Sequence, residues 1–170
     1  MNYFQLFNLP QTFALDVALL KVRYQDLLST VHPDKFAHAS QAEKMQAVVK
    51  SSQINDAFQC LKVPIRRAEH LLMLAGFVLN DEATTLQASD FLMQQMEWRE
   101  QLAVIRAQGD LNDLMTFGEL IQQSNKQFEA ELSRLLQQSQ WSSAYAVVLK
   151  LKFIIKLQQE LAAIEDSLLD

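Results

Sequence analysis

Helix-breaking residues are rare in this chain, and their scarcity constrains its fold more than any other feature. The 170 residues include only three Gly and three Pro, while 49% are apolar. Runs of β-branched residues bounded by turn residues, which are typical of strands, are absent. Since sequences of this kind form long helices joined by short turns, we expect an all-α protein.

Pro33 lies between two amphipathic patterns and predicts a helical hairpin. Residues recur at the spacing of one helix face on both sides of it, at Leu20, Tyr24, Leu27, Leu28 and Val31 before it and at Met45, Val49, Ser52, Ile54, Ala57, Phe58 and Leu61 after it. Proline cannot continue a helix, and it biases His32 away from helical backbone angles. We therefore expect two packed helices, with His32, Pro33 and Asp34 exposed at the tip between them.

Capping residues and breakers predict the bounds of the helices in the first half of the chain. A short apolar element closed by Pro10 comes first. Asp16 is a suitable N-cap for the next helix, and Ser40 with Glu43 has the spacing of a capping box. Gly76 should close the last of these helices. The three expected helices run from Asp16 to about Val31, from Ser40 to near Lys62, and from Ile65 to Leu74.

Composition changes at residues 77–89, a polar stretch in which we place a domain boundary. We expect a first domain at 1–76, a linker at 77–89 and a second domain at 90–170. Asp90 is a suitable cap for a helix to about Ala107, which Gly109 should end. Helices at 111–138 and 141–169 carry apolar stripes at Leu114, Phe117, Ile121, Phe128, Leu132 and Leu135, and at Val147, Leu151, Ile154, Leu161, Ile164 and Leu168. Three helices with short joints predict an up-down bundle.

The distribution of charge limits the classes of partner. A net charge of −5 argues against nucleic acid, since phosphate binding needs a basic surface. Residues 1–75 hold 8 Lys and Arg against 6 Asp and Glu, whereas residues 76–170 hold 7 against 14. The balances of +2 and −7 favour two domains with two different partners, and the alternative is a chance distribution over solvated surfaces.

Cys60 is the single cysteine, so an intrachain disulfide and a thiolate metal cluster are excluded. It lies in an apolar part of a predicted helix, which favours a role as buried filler. No apolar run has the length of a membrane span, and the N-terminus lacks the segments of a signal peptide. We expect a cytoplasmic protein that binds neither a membrane nor a cofactor.

The tip at His32, Pro33 and Asp34 has little catalytic potential. No Ser or Cys nucleophile lies beside His32, and no glycine-rich phosphate loop follows a strand. A metal site made of His32, Asp34 and His38 would use suitable ligand types, but the sequence offers no shell of residues to support it. A docking role fits better, because Pro33 makes the tip rigid and Asp34 offers a carboxylate to a basic partner residue.

The first helix of the second domain carries two faces rich in apolar residues. The expected core face consists of Phe91, Gln95, Trp98, Leu102 and Ile105. The opposite side carries Met93, Met96, Val104, Glu97 and Glu100, with Leu92 at its edge. This second face is either a partner-binding patch or part of a wider core under the first domain. We expect Phe153, which lies off the apolar stripe of the last helix, to be exposed beside this face, and Lys150, Lys152 and Lys156 to form a solvated surface.

The hairpin resembles the J-domain, the module that docks on DnaK-type chaperones and stimulates their ATPase. The resemblance is carried by residues 3–9, Tyr24, Leu27, the His-Pro-Asp tip, residues 54–61 and residues 67–69. It implies that the chaperone-binding residues are His32, Pro33, Asp34, Lys35, Lys21 and Arg23. The basic stripe usual before the tip is thin here, since Gln25, Asp26 and Ser29 are not basic. This departure indicates a dedicated chaperone partner.

The whole chain from about residue 2 resembles the HscB family of J-domain co-chaperones of iron–sulfur cluster assembly. Residues 67–76 and 90–100 carry this resemblance most specifically. It implies that the bundle binds the cluster scaffold protein IscU through an apolar and acidic patch at Leu92, Met93, Met96, Glu97, Glu100 and Phe153. Family members can carry an acid at Val104, so the part of Val104 in the patch is open. The Cys-rich N-terminal zinc module of eukaryotic relatives is missing, which implies a bacterial-type form without metal.

The function implied by this resemblance is that of a non-enzymatic co-chaperone. Its J-domain would stimulate ATP hydrolysis by the DnaK-type chaperone HscA, while its bundle would deliver IscU to that chaperone. Two alternatives stay open. One is a J-protein of another pathway with a different client, and the other is a metal-dependent enzyme that uses His32, Asp34 and His38.

Overall fold

A computed structural model of the chain describes residues 1–80 and 89–170, with side chains from residue 91 onward in the second range. The regular elements within these residues are all helices, which confirms the all-α prediction. The chain divides into two compact units, Met1–Gly76 and Phe77–Asp170. Most of the predicted linker at 77–89 and the capping side chain of Asp90 lie outside the described residues and side chains.

The N-terminal unit contains α1 (Tyr3–Leu6), α2 (Val17–Thr30), a 3₁₀ turn (Pro33–Phe36), α3 (Gln41–Lys62) and α4 (Pro64–Leu74). Asp16 caps α2 by accepting the N–H of Leu19, as predicted. Ser40 and Glu43 form the predicted capping box, and the hydrogen bonds from the Ser40 backbone and hydroxyl lower the pKa of the Glu43 carboxyl. Gly76 follows α4 with a φ of 80°, a left-handed conformation that favours glycine.

Helices α2 and α3 pack against each other as the predicted hairpin. The ring of Tyr24 stacks on that of Phe58 with 4.1 Å between centroids, and its hydroxyl donates to Oδ1 of Asn55 at 2.8 Å. Helix α1 and the residue that follows it cover the hairpin with the fully buried rings of Phe4 and Phe7. These contacts hold the two long helices in register, and so they fix the position of the tip.

Arg67 is the buried charge of the N-terminal unit. Its guanidinium donates to the carbonyl oxygens of Phe13 at 2.6 Å, Leu61 at 2.7 Å and Lys62 at 3.4 Å, and it lies over the ring of Phe13. Burying a charge is costly unless its donors are paired. The bonds of Arg67 therefore join the segment before α2 to the junction of α3 and α4.

The C-terminal unit contains α5 (Ser89–Gln108), α6 (Leu111–Gln137) and α7 (Trp141–Leu169). Helices α6 and α7 form the most extensive pair, and α5 packs on α7. Gly109 separates α5 from α6 with a φ of 67°. The shared core is apolar and consists of Phe91, Trp98, Leu102, Ile105, Leu114, Phe117, Ile121, Ile154, Leu157, Leu161 and Ile164.

Four positions expected on buried faces are exposed, namely Met45, Val49, Ser52 and Leu168. In α3 the buried stripe runs back from Ile54 by seven residues, or about two turns, to Ala47, so Met45 and Val49 lie on the outer side. Leu168 belongs to the last turn of α7, beyond the last buried residue, Ile164. The predicted faces were therefore wrong from Met45 to Ser52 in α3 and at the end of α7.

Candidate partner-binding sites

The tip of the hairpin is a 3₁₀ turn that His32 caps. Pro33 occupies its first position, where a backbone N–H is not needed. The N–H of Asp34 donates to Nδ1 of His32 at 3.3 Å, and the N–H of Lys35 donates to the carbonyl oxygen of His32 at 3.0 Å. Because Nδ1 accepts a hydrogen bond, a neutral His32 ring carries its proton on Nε2. The conformation of the tip is thus supported by bonds within the tip itself.

Asp34 presents its carboxylate almost entirely to solvent. Its side chain is 93% exposed, and its Oδ2 lies 3.5 Å from Nδ1 of His32. A carboxylate in this position can accept charge-assisted hydrogen bonds from an Arg or Lys of a partner. The geometry therefore suits docking on a basic group.

Lys21 and Arg23 of α2 are both exposed, but they do not form one surface. Residues two positions apart on a helix point about 200° apart, so these two cations face different directions. Arg23 borders a shallow groove with Asp26 and Thr30. A partner that docks on one side of α2 would meet only one of the two cations.

An apolar groove of about 390 Å³ opens beside the tip. Val31, Pro33 and Phe36 line it from the tip, and Ala47 and Val48 line it from α3. Pro33 belongs to both the tip and the groove. A partner that contacts the tip can therefore also bury apolar surface here.

The second predicted site lies on the outer side of α5. Leu92, Met93 and Met96 are 54%, 72% and 64% exposed, and Glu97 and Glu100 are also exposed. Val104 is exposed on the same side. These exposures place this face outside the core of the C-terminal unit itself. The exposed set combines apolar side chains with two carboxylates, as a surface for an apolar and basic partner would.

Phe153 differs from the expectation of an exposed side chain, because it is half-buried. Its ring meets that of Phe91 edge-on, with 5.8 Å between centroids, and lies nearly parallel to that of Trp98 at 6.3 Å. Phe91 and Trp98 are buried core residues of α5. Phe153 therefore connects the core of the unit to its surface.

Arg99 and Glu160 form an ion pair between α5 and α7 next to Phe153. Nη1 of Arg99 lies 2.6 Å and 2.7 Å from the two carboxylate oxygens of Glu160, and its guanidinium carbon lies 5.2 Å from the centre of the Phe153 ring. Arg106 approaches the same carboxylate at 3.9 Å. Arg99 is on the flank of α5 that also carries Leu92 and Met96, seven and three residues away.

Lys150 was expected on a solvated surface, but it is half-buried over aromatic rings. Its Nζ lies 5.7 Å and 5.6 Å from the ring centres of Phe91 and Phe128. An open groove of about 350 Å³ borders these three residues, together with Gln94 and Ser124. The ammonium group therefore covers the edge of the aromatic core, as snorkelling lysines do.

Two further side chains have shifted pKa values and lie outside both sites. Cys60 is half-buried, its thiol donates to the carbonyl oxygen of Arg66 at 3.5 Å, and burial raises its pKa. The buried His70 accepts the N–H of Tyr3 through Nε2 at 3.2 Å, and burial lowers its pKa. His70 therefore serves as a neutral acceptor that attaches α1 to α4.

The described part of the chain offers no group of three or more His, Cys, Asp or Glu side chains that could hold a metal ion. A metal site made of His32, Asp34 and His38 thus has no support in the described residues. None of the helices in residues 1–80 and 89–170 combines the length and the apolar character that crossing a bilayer requires.

Sequence reasoning did not find the contacts that surround Phe153. Arg99 and Glu160 are 61 residues apart, and a single sequence contains no local pattern that pairs them. The position of Glu160, seven residues or about two turns after Phe153 on the same helix, was the only available signal. That spacing places both side chains on one face of α7.

Comparison with known proteins identifies the family. The family model described as the HSCB C-terminal oligomerisation domain matches residues 87–162. A co-chaperone protein HscB homolog from Shewanella pealeana is 48% identical over 174 residues, which cover 100% of both chains. The match spans both units of this chain.

Solved structures of HscB proteins share the same architecture. Chaperone HscB from Vibrio cholerae is 42% identical, with a TM-score of 0.87 over 99% of both chains. The human co-chaperone protein HscB is 27% identical, with a TM-score of 0.88 over 96% of this chain and 81% of that one. The predicted J-domain followed by a C-terminal helical domain is therefore confirmed. This chain belongs to the HscB family, the J-domain co-chaperones of iron–sulfur cluster assembly.

Proposed function

We propose that this co-chaperone acts on a DnaK-type chaperone, HscA, through its hairpin tip and delivers the scaffold protein IscU through its C-terminal unit. Its own contribution is non-enzymatic: it positions two partners, and the ATPase chemistry belongs to the chaperone. The observation that carries the proposal is the presence of two exposed surfaces of different chemistry on two compact units. One surface is a capped, carboxylate-bearing tip, and the other is an apolar and acidic helix face.

The tip supports the chaperone-binding role through its preorganisation. His32 and Pro33 fix the backbone of the turn, and Asp34 extends its carboxylate into solvent. Preorganised groups lose less conformational freedom on binding, so more of their interaction energy contributes to affinity. The groove next to Pro33 adds apolar area that a partner segment could cover. Lys35 completes the proposed contact at the tip. From α2, either Lys21 or Arg23 contributes, because the two side chains face different directions.

The outer face of α5 supports the scaffold-binding role through its composition. Exposed Leu and Met side chains can adapt to a partner surface, and the neighbouring carboxylates select partners with basic groups. The proposed contact residues are Leu92, Met93, Met96, Glu97, Glu100 and Phe153. Phe153 supplies an aromatic ring at the edge of this face, and aromatic residues often dominate interface energies.

The test is the binding of purified IscU by calorimetry to the wild type and to a variant with Leu92→Ala and Phe153→Ala. Truncation of an interface hot spot costs about 2 kcal/mol or more, so we expect the double variant to bind roughly a thousandfold more weakly. Stimulation of the chaperone in the absence of IscU should be unchanged, because the tip is intact.

Leu120→Ala provides the matched control for this experiment. Leu120 is 45% exposed on α6, in the same unit but outside the proposed surface. This variant should bind IscU as the wild type does. Equal losses of affinity in the two variants, or full affinity in the double variant, would contradict the assignment of the surface.

A further inference from the structure

Phe153 is the half-buried member of the proposed scaffold surface, and its ring is fixed by contacts with α5. Phe91 meets it edge-on, Trp98 lies nearly parallel to it, and the Arg99 guanidinium lies over it at 5.2 Å. Phe91 and Trp98 are buried, but the Arg99 side chain is 37% exposed. Arg99 is therefore the most solvent-exposed of the three side chains that contact this ring.

Arg99 is itself held by Glu160. One guanidinium nitrogen contacts both oxygens of that carboxylate, at 2.6 Å and 2.7 Å, and the Glu160 side chain is only 30% exposed. An ion pair that is partly shielded from water is stronger than a fully exposed one. Phe153 and Glu160 are about two helical turns apart on α7. The same helix therefore supplies both the aromatic ring and the carboxylate that orients the Arg99 guanidinium over it.

This arrangement packs three side chains from two helices into one group, namely Arg99, Phe153 and Glu160. A ring already held in one orientation loses little freedom when a partner covers it, which increases affinity. A cation over an aromatic face adds an attraction that depends on the position of the guanidinium. Arg106 reaches the same carboxylate at 3.9 Å but has no described ring contact. It therefore carries the same charge as Arg99 but does not lie over the Phe153 ring.

We propose that Arg99 is a positioning residue of the scaffold-binding surface, which acts through Phe153 and is oriented by Glu160. This inference rests on the proposed binding of the scaffold at Phe153. It predicts that replacing Arg99 weakens IscU binding only when the Phe153 ring is present. A residue that merely stabilised the bundle, or that contacted IscU directly, would not show this dependence.

A double-mutant cycle tests the proposal. IscU affinity is measured for the wild type, Arg99→Gln, Phe153→Ala and the double variant. We expect Arg99→Gln to weaken binding about tenfold in the wild-type background and to have no further effect in the Phe153→Ala background. The control Arg106→Gln should stay within about twofold of the wild type. An equal loss from Arg99→Gln in both backgrounds would overturn the proposal.

A second measurement uses the free protein and does not depend on the scaffold. NMR of ¹³C-labelled phenylalanine reports the order and flipping of the Phe153 ring. We expect Arg99→Gln and Glu160→Gln to increase its mobility, and Arg106→Gln to leave it unchanged. An unchanged ring in Arg99→Gln would contradict the positioning role. If the wild type failed to bind IscU, the proposed function would be wrong, while the ring measurement would still decide the role of Arg99.

Discussion

At the scale of single residues, Asp34 carries the proposed contact with the chaperone. Its backbone N–H is used to build the tip, whereas its carboxylate is 93% exposed. The two parts of the residue therefore have separable roles. A substitution that keeps the backbone and the side-chain shape but removes the charge should affect binding and spare the fold.

Asp34→Asn makes this change. Hydrogen bonds to an ionised acceptor are roughly twice as strong as neutral ones, so we expect the chaperone's ATPase stimulation to fall at least about tenfold. The measurement is the steady-state ATPase rate of HscA against co-chaperone concentration, with circular dichroism to verify folding. Asp56→Asn, at an exposed position of α3, should stimulate as the wild type does. Wild-type stimulation by the Asp34 variant would refute this role of the carboxylate.

Residues that act locally were easier to predict than residues that act across the fold. The capping roles of Asp16, Ser40 and Glu43 depend on neighbours within three positions, and the structure confirms them. Arg99 is different, because its partners lie on another helix at positions that only the packed bundle brings together. Single-sequence patterns contain no information on such pairings.

At the scale of helices, His70 attaches α1 to α4. Its ring is 8% exposed, stacks on Tyr3 with 4.4 Å between centroids, and accepts the N–H of Tyr3. Burial lowers the pKa of His70, and the positive charge of the N-terminus acts in the same direction. Protonation of Nε2 would also replace an acceptor by a donor facing the Tyr3 N–H. The N-terminal unit therefore needs the neutral ring.

The sign of the pH dependence follows from this lowered pKa. Below the unfolded-state pKa of about 6.5, the unfolded chain binds a proton that the folded chain resists. The stabilising contribution is complete above that pH and is lost as the pH falls through the folded-state pKa. We expect the protection of α4 amides from hydrogen exchange, corrected for intrinsic rates, to be constant above about pH 6.5 and to decrease as the pH falls below that value.

His70→Gln separates this effect from other titrations. Glutamine can still accept a hydrogen bond but has no proton to gain in this range. The variant should show a flatter pH profile of α4 protection than the wild type. Identical profiles for the two proteins would show that another group causes the decrease.

Helix positions could be predicted closely, while their buried faces could be predicted only in part. The breakers and caps placed α3 and α4 within about one residue of their observed ends. The face of α3 was wrong near its start, because Met45 and Val49 are apolar and Ala47 is small, although Ala47 is the residue in phase with Ile54. Apolar character alone does not determine which side of a helix its neighbours cover.

At the scale of the whole molecule, the chain combines two compact units that carry different proposed binding surfaces. The sequence-derived balance of +2 for residues 1–75 and −7 for residues 76–170 agrees with partners of different character. The resemblance to the HscB family could be recognised from the sequence and is confirmed by full-length relatives. The contributions of individual residues to each surface depend on packing between helices, which the pattern of a single sequence does not encode.

The most direct test of the account is the ATPase rate of HscA alone, with this protein, and with this protein plus IscU. We predict modest stimulation by this protein and a synergistic increase when IscU is also present, because the two surfaces would then bring chaperone and client together. Stimulation that does not respond to IscU would contradict the scaffold-binding role of the C-terminal unit. No stimulation under any condition would contradict the chaperone-binding role of the tip.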